Sequence, residues 1–318
     1  MSKAGTTSSQ GRPEISVIIA SRNRREMLAD CLRSVQETVC AGHEIVVVDD
    51  ASTDDTGGMV QERFPGVTVV SNPRRASWTV TNNQGIRVSR GRNFLLLNDD
   101  TKLLPGAIDH CLAFQESHPR AGVVSPRILN GDGSLQPCMR RFPDFGAAVA
   151  QTLDLHRLLP GNRATRRYYG MDDDYSQDNQ AEHIASTCWL LRRECYEEVG
   201  VFDERFPPNF SDTEFNLRLA AAGWDRWVLA GGEIIHYGGS TMGMLNLQQI
   251  WDFHRGGWLL YRKHYAPRYH PLVNLVAYGG IGARFCFKAA MRITAADRLM
   301  QRLPQPHRRR KLEGGSES

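Results

Sequence analysis

The sequence predicts an α/β fold with a mostly parallel, doubly wound central sheet flanked by helices, and three observations carry that expectation. Nearly uninterrupted apolar runs of strand length recur at residues 15–20, 44–48 and 94–97. Runs without polar alternation mark strands buried on both faces. Segments of helical period separate them, in units of about 30 residues that suit strand–helix–strand crossovers. Two of the runs end in adjacent acids, Asp49-Asp50 and Asp99-Asp100. Open α/β sheets bind ligands along that rim.

The elements follow in order. The first strand, 15–20, meets the polar break Ser21-Arg22-Asn23-Arg24, and Leu28, Cys31, Leu32 and Val35 then recur at helical spacing. The second strand ends at Asp49-Asp50. The loop 51–56 offers a helix N-cap, and Met59, Val60 and Phe64 share one face of the next helix. Residues 67–70 predict a third strand, and a helix through Asn82, Asn83, Ile86 and Val88 leads to the fourth, 94–97. Residues 104–114 read as a helix with Pro105 in its first turn, 122–126 as a strand, and 130–133 as a turn. Residues 135–180, with the acidic patch Asp172-Asp173-Asp174, read as an insertion that either shapes an acceptor pocket or is a loop of no special role. A strand is expected over 184–191, then a short helix from Arg192 to Gly200. Phe210-Ser211-Asp212-Thr213-Glu214 precedes a helix that stops at Gly223. Two short strands follow, 227–229 and 233–236, the second ending in His236.

Composition bounds the function. The chain has 318 residues, enough for one large or two small domains, and a formal net charge of +4. That charge is too small to argue for nucleic acid. Seven cysteines occur without a Cys-x-x-Cys pair, which fits reduced thiols in a cytosolic compartment. Residues 1–13 lack the apolar run of a signal peptide and read as disordered. No apolar stretch reaches the ~18 residues of a membrane span.

Adjacent carboxylates repel unless something positive lies between or near them. A divalent cation carrying a diphosphate would serve, because hard cations take carboxylate and phosphate oxygens together. Crossover topology brings Ala20 to Arg22, Asp49-Asp50 and Asp99-Asp100 to one crevice. There is no Gly-x-Gly-x-x-Gly after the first strand and no Gly-Lys-Ser/Thr loop. A Rossmann dehydrogenase, a P-loop enzyme and a nucleotidyltransferase with a glycine-rich phosphate loop are therefore disfavoured.

The C-terminal part, 266–318, reads as an amphipathic helical extension and basic tail. Arg284, Lys288 and Arg292 are spaced four apart, and His307-Arg308-Arg309-Arg310-Lys311 is polybasic. A membrane surface is the partner this pattern suggests, with an ordinary packed terminal helix as the alternative.

Six stretches, in order, then bear on family: 15–19, 47–54, 96–101, Gly133-Ser134-Leu135-Gln136-Pro137, 198–204 and His236-Tyr237-Gly238-Gly239-Ser240. Together, over roughly 14–265, they resemble an inverting family 2 glycosyltransferase of the GT-A fold, in its rhamnosyltransferase-like branch. The resemblance implies a nucleotide-sugar half, about 14–130, and an acceptor half, about 131–265. It implies that Asp50 accepts a hydrogen bond from the nucleotide base, with Asp49 supporting it, and that Ala20 and Arg22 lie along the nucleotide. Asp99 would contact the ribose or a metal-bound water. Asp100 and His236 would hold a divalent metal, Mn²⁺ or Mg²⁺, and Asp212 would be the general base. The implied reaction moves a sugar from a dTDP- or UDP-sugar to a lipid-linked or polysaccharide acceptor, at the cytoplasmic membrane face and without nucleic acid.

The sequence departs from the family pattern at Ser211, where Glu is usual, at Glu214 in place of Asp, at Ser186-Thr187 in place of Gly-Ala, and at Glu182 in place of Asp. A catalytically silent scaffold of the same fold is the competing reading, favoured by Ser211 and disfavoured by retention of Asp100, Asp212 and His236. Trp189 and Trp224 are expected in the core rather than stacked on sugar.

Overall fold

A computed structural model describes residues 11–142, 163–168, 170, 172–238 and 246–293. The expected disorder of the first residues, part of the 135–180 insertion, Gly239-Ser240 and the polybasic tail lie outside those residues, wholly or in part.

Strands β1 (Ile15–Ser21), β2 (His43–Asp49), β3 (Thr68–Ser71) and β4 (Asn93–Asn98) are mutually parallel, in the order β3-β2-β1-β4. Helices α1 (Arg25–Thr38), α2 (Thr56–Arg63) and α3 (Trp78–Val88) make the crossovers. The apolar runs are continuous because both sheet faces are covered: Ile15, Val17, Ile18, Ile19, Phe94 and Leu95 have no exposed surface. This half matches its expected order of elements.

The second half extends the same sheet in mixed sense. β5 (Thr101–Leu103), α4 (Ala107–Ser117), β6 (Ala121–Asn130), β7 (Met139–Arg140), α5 (Arg163–Tyr168), β8 (Asn179–Gln180), β9 (His183–Ile184), β10 (Cys188–Arg192), α6 (Arg193–Val199), α7 (Pro208–Ala221) and β11 (Asp225–His236) follow. The sheet continues from β4 as β10-β6-β11-β5, with β8 also on β11 and β7 pairing β9 in a separate ribbon. β10 runs antiparallel to β4 and β6, whereas β6 and β11 are parallel.

Four local expectations change. The helix expected at 104–114 begins at Ala107, behind Gly106 in the left-handed region, so Pro105 lies ahead of it. The strand expected over 184–191 is interrupted between β9 and β10. The helix expected after Glu214 starts at Pro208, which places Ser211, Asp212 and Glu214 inside it. Proline needs no amide partner in a first turn, and this helix uses that freedom. The two short C-terminal strands are one, β11, with a register shift between Leu229 and Glu233. Gly231 and Gly232 lie there because α4 approaches closely: a Cβ on Gly232 would meet the Ala107 carbonyl oxygen at 3.0 Å.

An aromatic cluster locks α6 and α7 to the sheet. Trp189, Phe202 and Phe215 are fully buried, and the rings of Phe202 and Phe215 are 4.4 Å apart. Burying such a side chain is worth roughly 1.5–3 kcal/mol. The cluster therefore fixes where α7 presents Asp212. Trp189 and Trp224 belong to the core.

Helix α8 (Leu247–Leu260) packs on α9 (Pro271–Ile293). Arg284 stacks on Phe253, and Tyr261 donates its hydroxyl hydrogen to Asn274. The basic stripe Arg284, Lys288 and Arg292 is half-buried on the flank of α9 rather than outward. Its outward residues are apolar or small, among them Leu272, Leu275, Val276, Phe287 and Ile293. Among the described residues, no helix is long and apolar enough to cross a membrane.

Candidate active site

A crevice of about 840 Å³ opens at the C-terminal ends of β1, β2 and β4. That volume lies in the ordinary range for small-molecule sites. Of the residues expected in a site, Ala20, Arg22, Asp50, Asp99, Asp100 and His236 line it. Asp49 and Asp212 are not among its lining residues.

The reason for Asp49 is the pleat. It is the last residue of β2, and successive side chains on a strand point to opposite faces. Its Oδ1 accepts from the Ser52 backbone amide at 3.1 Å, and its carboxylate lies against the first turn of α2. Asp50, one residue on, turns into the crevice. Its Oδ1 accepts from the Ala76 amide at 2.7 Å and from the Asn72 side-chain amide at 3.2 Å.

Asp99 and Asp100 lie in the turn between β4 and β5, so both carboxylates reach the crevice while staying buried. Asp99 Oδ2 accepts from the Ser21 hydroxyl at 2.7 Å. Arg24 spans the pair, its Nη1 lying 2.6 Å from Asp100 Oδ2 and 3.2 Å from Asp99 Oδ1. His236 Nε2 faces Asp100 Oδ1 at 3.1 Å. Burial raises the Asp99 carboxyl above its ordinary range, and its bonds to Ser21 and Arg24 do not overcome that. Burial pushes Asp100 the same way, but His236 and Arg24 outweigh it and hold Asp100 below that range.

His236 stands at the end of β11, beside β5. Its Nδ1 donates to Gln136 Oε1 at 2.8 Å, which turns Nε2 toward Asp100. A partner on the far ring nitrogen is the usual way a ligating imidazole is oriented. A Cβ on Gly238 would lie 2.6 Å from both Asp100 Oδ2 and His236 Nε2, so only a residue without a side chain fits against these two atoms. Among the described residues no three His, Cys, Asp or Glu side chains form a complete metal cage. A carboxylate and an imidazole beside an open pocket nonetheless fit a cation that takes its remaining ligands from phosphate oxygens and water.

Asp212 sits on α7 one turn beyond Pro208, which lines the crevice, as does Ser186. Its Oδ1 accepts from the Thr213 amide at 2.7 Å, and its Oδ2 lies 3.5 Å from Nε2 of the buried His183. Among the described residues that nitrogen has no hydrogen-bond partner. Ser211 is buried, with its hydroxyl donating to the Pro208 carbonyl. Its departure from the family pattern therefore falls in the helix packing and not in the crevice.

Several contributors carried no role in the sequence reading. Arg24 and Ser21 belonged to a polar break, Gln136 to an unexplained motif, and His183 and Asp252 to no pattern. Asp252 lines the crevice from α8. Only Gln136 had a sequence signal, its Gly-Ser-Leu-Gln-Pro setting.

Residues 16–200 match the family model described as glycosyl transferase family 2. The chain is 26% identical over 210 residues to an N-acetylglucosaminyl-diphospho-decaprenol L-rhamnosyltransferase of Mycobacterium tuberculosis, covering 63% of this chain and 68% of that protein. It is 27% identical over 236 residues to an O-antigen biosynthesis protein of Myxococcus xanthus, covering 72% of this chain and 18% of that protein. In fold it is similar to a mannosyltransferase of Pyrobaculum calidifontis solved with GDP-Man and Mn²⁺, with TM-score 0.56, 18% identity, and coverage of 94% of this chain and 83% of that one.

Proposed function

The chain belongs to glycosyl transferase family 2 and is a glycosyltransferase, and on that premise we propose that it is a metal-dependent, inverting enzyme of cell-surface glycan synthesis. The donor is dTDP-rhamnose or a UDP-sugar, and the acceptor is lipid-linked or polysaccharide. The convergence of Asp50, Asp99, Asp100 and His236 on one sheet end carries the reading. The Mycobacterium relative, named for rhamnosyl transfer to a diphospho-decaprenol acceptor, supports the donor and acceptor classes.

In this reading Asp50 holds the nucleotide base through its remaining carboxylate oxygen, and Asp49 shapes the loop behind it. Ala20 and Arg22 lie along the nucleotide, with Asp99 at the ribose or a metal-bound water. Asp100 and His236 hold Mn²⁺ or Mg²⁺, which when bound offsets the charge of the departing diphosphate. Asp212 accepts the acceptor hydroxyl's proton as that oxygen attacks the anomeric carbon. One in-line displacement inverts that carbon without a covalent enzyme intermediate. The domain division follows the two halves, 14–130 and 131–265. The outward apolar face of α9, flanked by Arg284, Lys288 and Arg292, lies on the inner membrane face near a lipid-linked acceptor.

The test is sugar transfer followed by mass spectrometry, with dTDP-rhamnose and UDP-sugars, Mn²⁺ or Mg²⁺, and a diphospho-lipid acceptor. Transfer with one donor, lost in Asp212→Asn while donor affinity persists, is the expected result. Undiminished turnover in Asp212→Asn would overturn the base assignment.

A further inference from the structure

We propose that Arg24 is the resident counter-cation of the Asp99–Asp100 pair in the donor-free enzyme, and that it releases Asp100 only when a divalent cation and a nucleoside diphosphate enter together. The inference rests on the donor-site reading above.

Four carboxylate oxygens define the pair. Asp99 Oδ2 is taken by the Ser21 hydroxyl, and Asp100 Oδ1 lies 3.1 Å from His236 Nε2. The other two, Asp99 Oδ1 and Asp100 Oδ2, are taken by one guanidinium nitrogen of Arg24. A cation that binds Asp100 Oδ2 therefore meets the Arg24 guanidinium already at that oxygen.

The partners differ in how easily they yield. Ser21 is a 3% exposed residue at the end of β1. His236 is held from behind by Gln136. Arg24 reaches in from the loop between β1 and α1, and its side chain is 45% exposed. The oxygen it holds most closely, Asp100 Oδ2, is also the one that converges with His236 Nε2 beside Gly238, each 2.6 Å from where a Cβ there would stand. Guanidinium and metal ion therefore compete for one atom.

Charge decides the order of binding. A guanidinium displaced by a lone dication would face both the incoming charge and a rim already carrying Arg22 and Arg75. A diphosphate arriving with the metal supplies an anion for the displaced guanidinium, whose planar fork suits phosphate oxygens. Metal and nucleotide are then coupled, and by linkage each tightens the other by the same factor.

The experiment titrates MnCl₂ into the full chain by calorimetry or by the electron paramagnetic resonance signal of free Mn²⁺. It is run without nucleotide and then with UDP, dTDP or GDP, on wild type, Arg24→Ala and Arg24→Lys. Wild type is expected to bind Mn²⁺ at least tenfold more tightly when its diphosphate is present. Arg24→Ala is expected to bind Mn²⁺ alone at least tenfold more tightly than wild type, with the coupling reduced by that factor. Arg24→Lys, a point charge without the fork, should fall between them, and it carries the test if the alanine variant does not fold. A folded variant that binds Mn²⁺ alone no more tightly than wild type, while wild type keeps its coupling, overturns the role of Arg24. Absence of Mn²⁺ binding to wild type with every diphosphate would instead overturn the donor-site reading, and this inference with it.

Discussion

Gly238→Ala probes the metal–diphosphate corner with one methyl group. The backbone at Gly238 does not have a positive φ, so alanine is conformationally acceptable and the effect is one of space. The new Cβ would stand 2.6 Å from Asp100 Oδ2 and His236 Nε2, where ordinary contact begins at 3.4 Å. Each group would have to retreat by 3.4 − 2.6 = 0.8 Å. Neither has easy room, since Asp100 is 6% exposed and His236 is tied to Gln136. A misplacement near 1 Å costs on the order of 10²-fold in rate, or about 2.7 kcal/mol of transition-state stabilisation. Nucleoside diphosphate release in a coupled assay should therefore fall about 10²-fold, with weaker Mn²⁺-dependent donor affinity by calorimetry. Overpacking against buried groups also costs on the order of 1–3 kcal/mol of stability, so turnover is compared where the variant remains folded. A folded Gly238→Ala enzyme with wild-type turnover and affinity would show that the reacting diphosphate does not occupy this corner.

Other expectations reach further from that corner. Gln136→Leu removes the acceptor that orients His236, and Mn²⁺ affinity in the presence of nucleotide should fall about 10–100-fold. Unchanged affinity would make the contact incidental. Glu214 is buried among Arg218, Lys263 and His264; burial works against its charge, but these partners overcome it and lower its pKa to about 2. A depressed carboxyl stabilises the fold above its unfolded pKa, and that contribution disappears as pH falls through the folded value. Glu214→Gln should lower urea stability at neutral pH by about 3 kcal/mol. The difference from wild type should shrink between pH 4.5 and about 2, and a constant difference would refute the linkage. Leu275→Asp with Val276→Asp places charge on the outward face of α9, and co-sedimentation with anionic vesicles should drop at least tenfold; continued binding would assign the contact elsewhere.

Much of this architecture was legible because burial writes itself into short apolar runs. β1, β2 and β4 are covered on both faces, so their sequences lack alternation, and their ends pointed to Asp50, Asp99 and Asp100. The acid pairs are not equivalent, however. Asp49-Asp50 straddles the end of a strand, where the pleat sends one side chain away, whereas Asp99-Asp100 lies in a turn that directs both inward. Ser211-Asp212 is expected ahead of a helix, but Pro208 already begins that helix. The partners of the acids were illegible for another reason. Arg24 meets Asp100 across 76 positions and Gln136 meets His236 across 100, and no local pattern encodes such pairs. The basic spacing of α9 was visible in sequence. Which face α8 would cover was not, and the covered flank proved to be the basic one.

The measurement that bears most directly on the central claim is a thermal-shift panel of UDP, dTDP and GDP, each with and without Mn²⁺. A ligand that binds only the folded state raises the melting temperature, by an amount that grows with the logarithm of its concentration over its dissociation constant. One diphosphate is expected to raise it in the presence of Mn²⁺ and to have little effect without the metal. No shift with any of the three, with or without Mn²⁺, would contradict the assignment of the crevice as a nucleotide-sugar site.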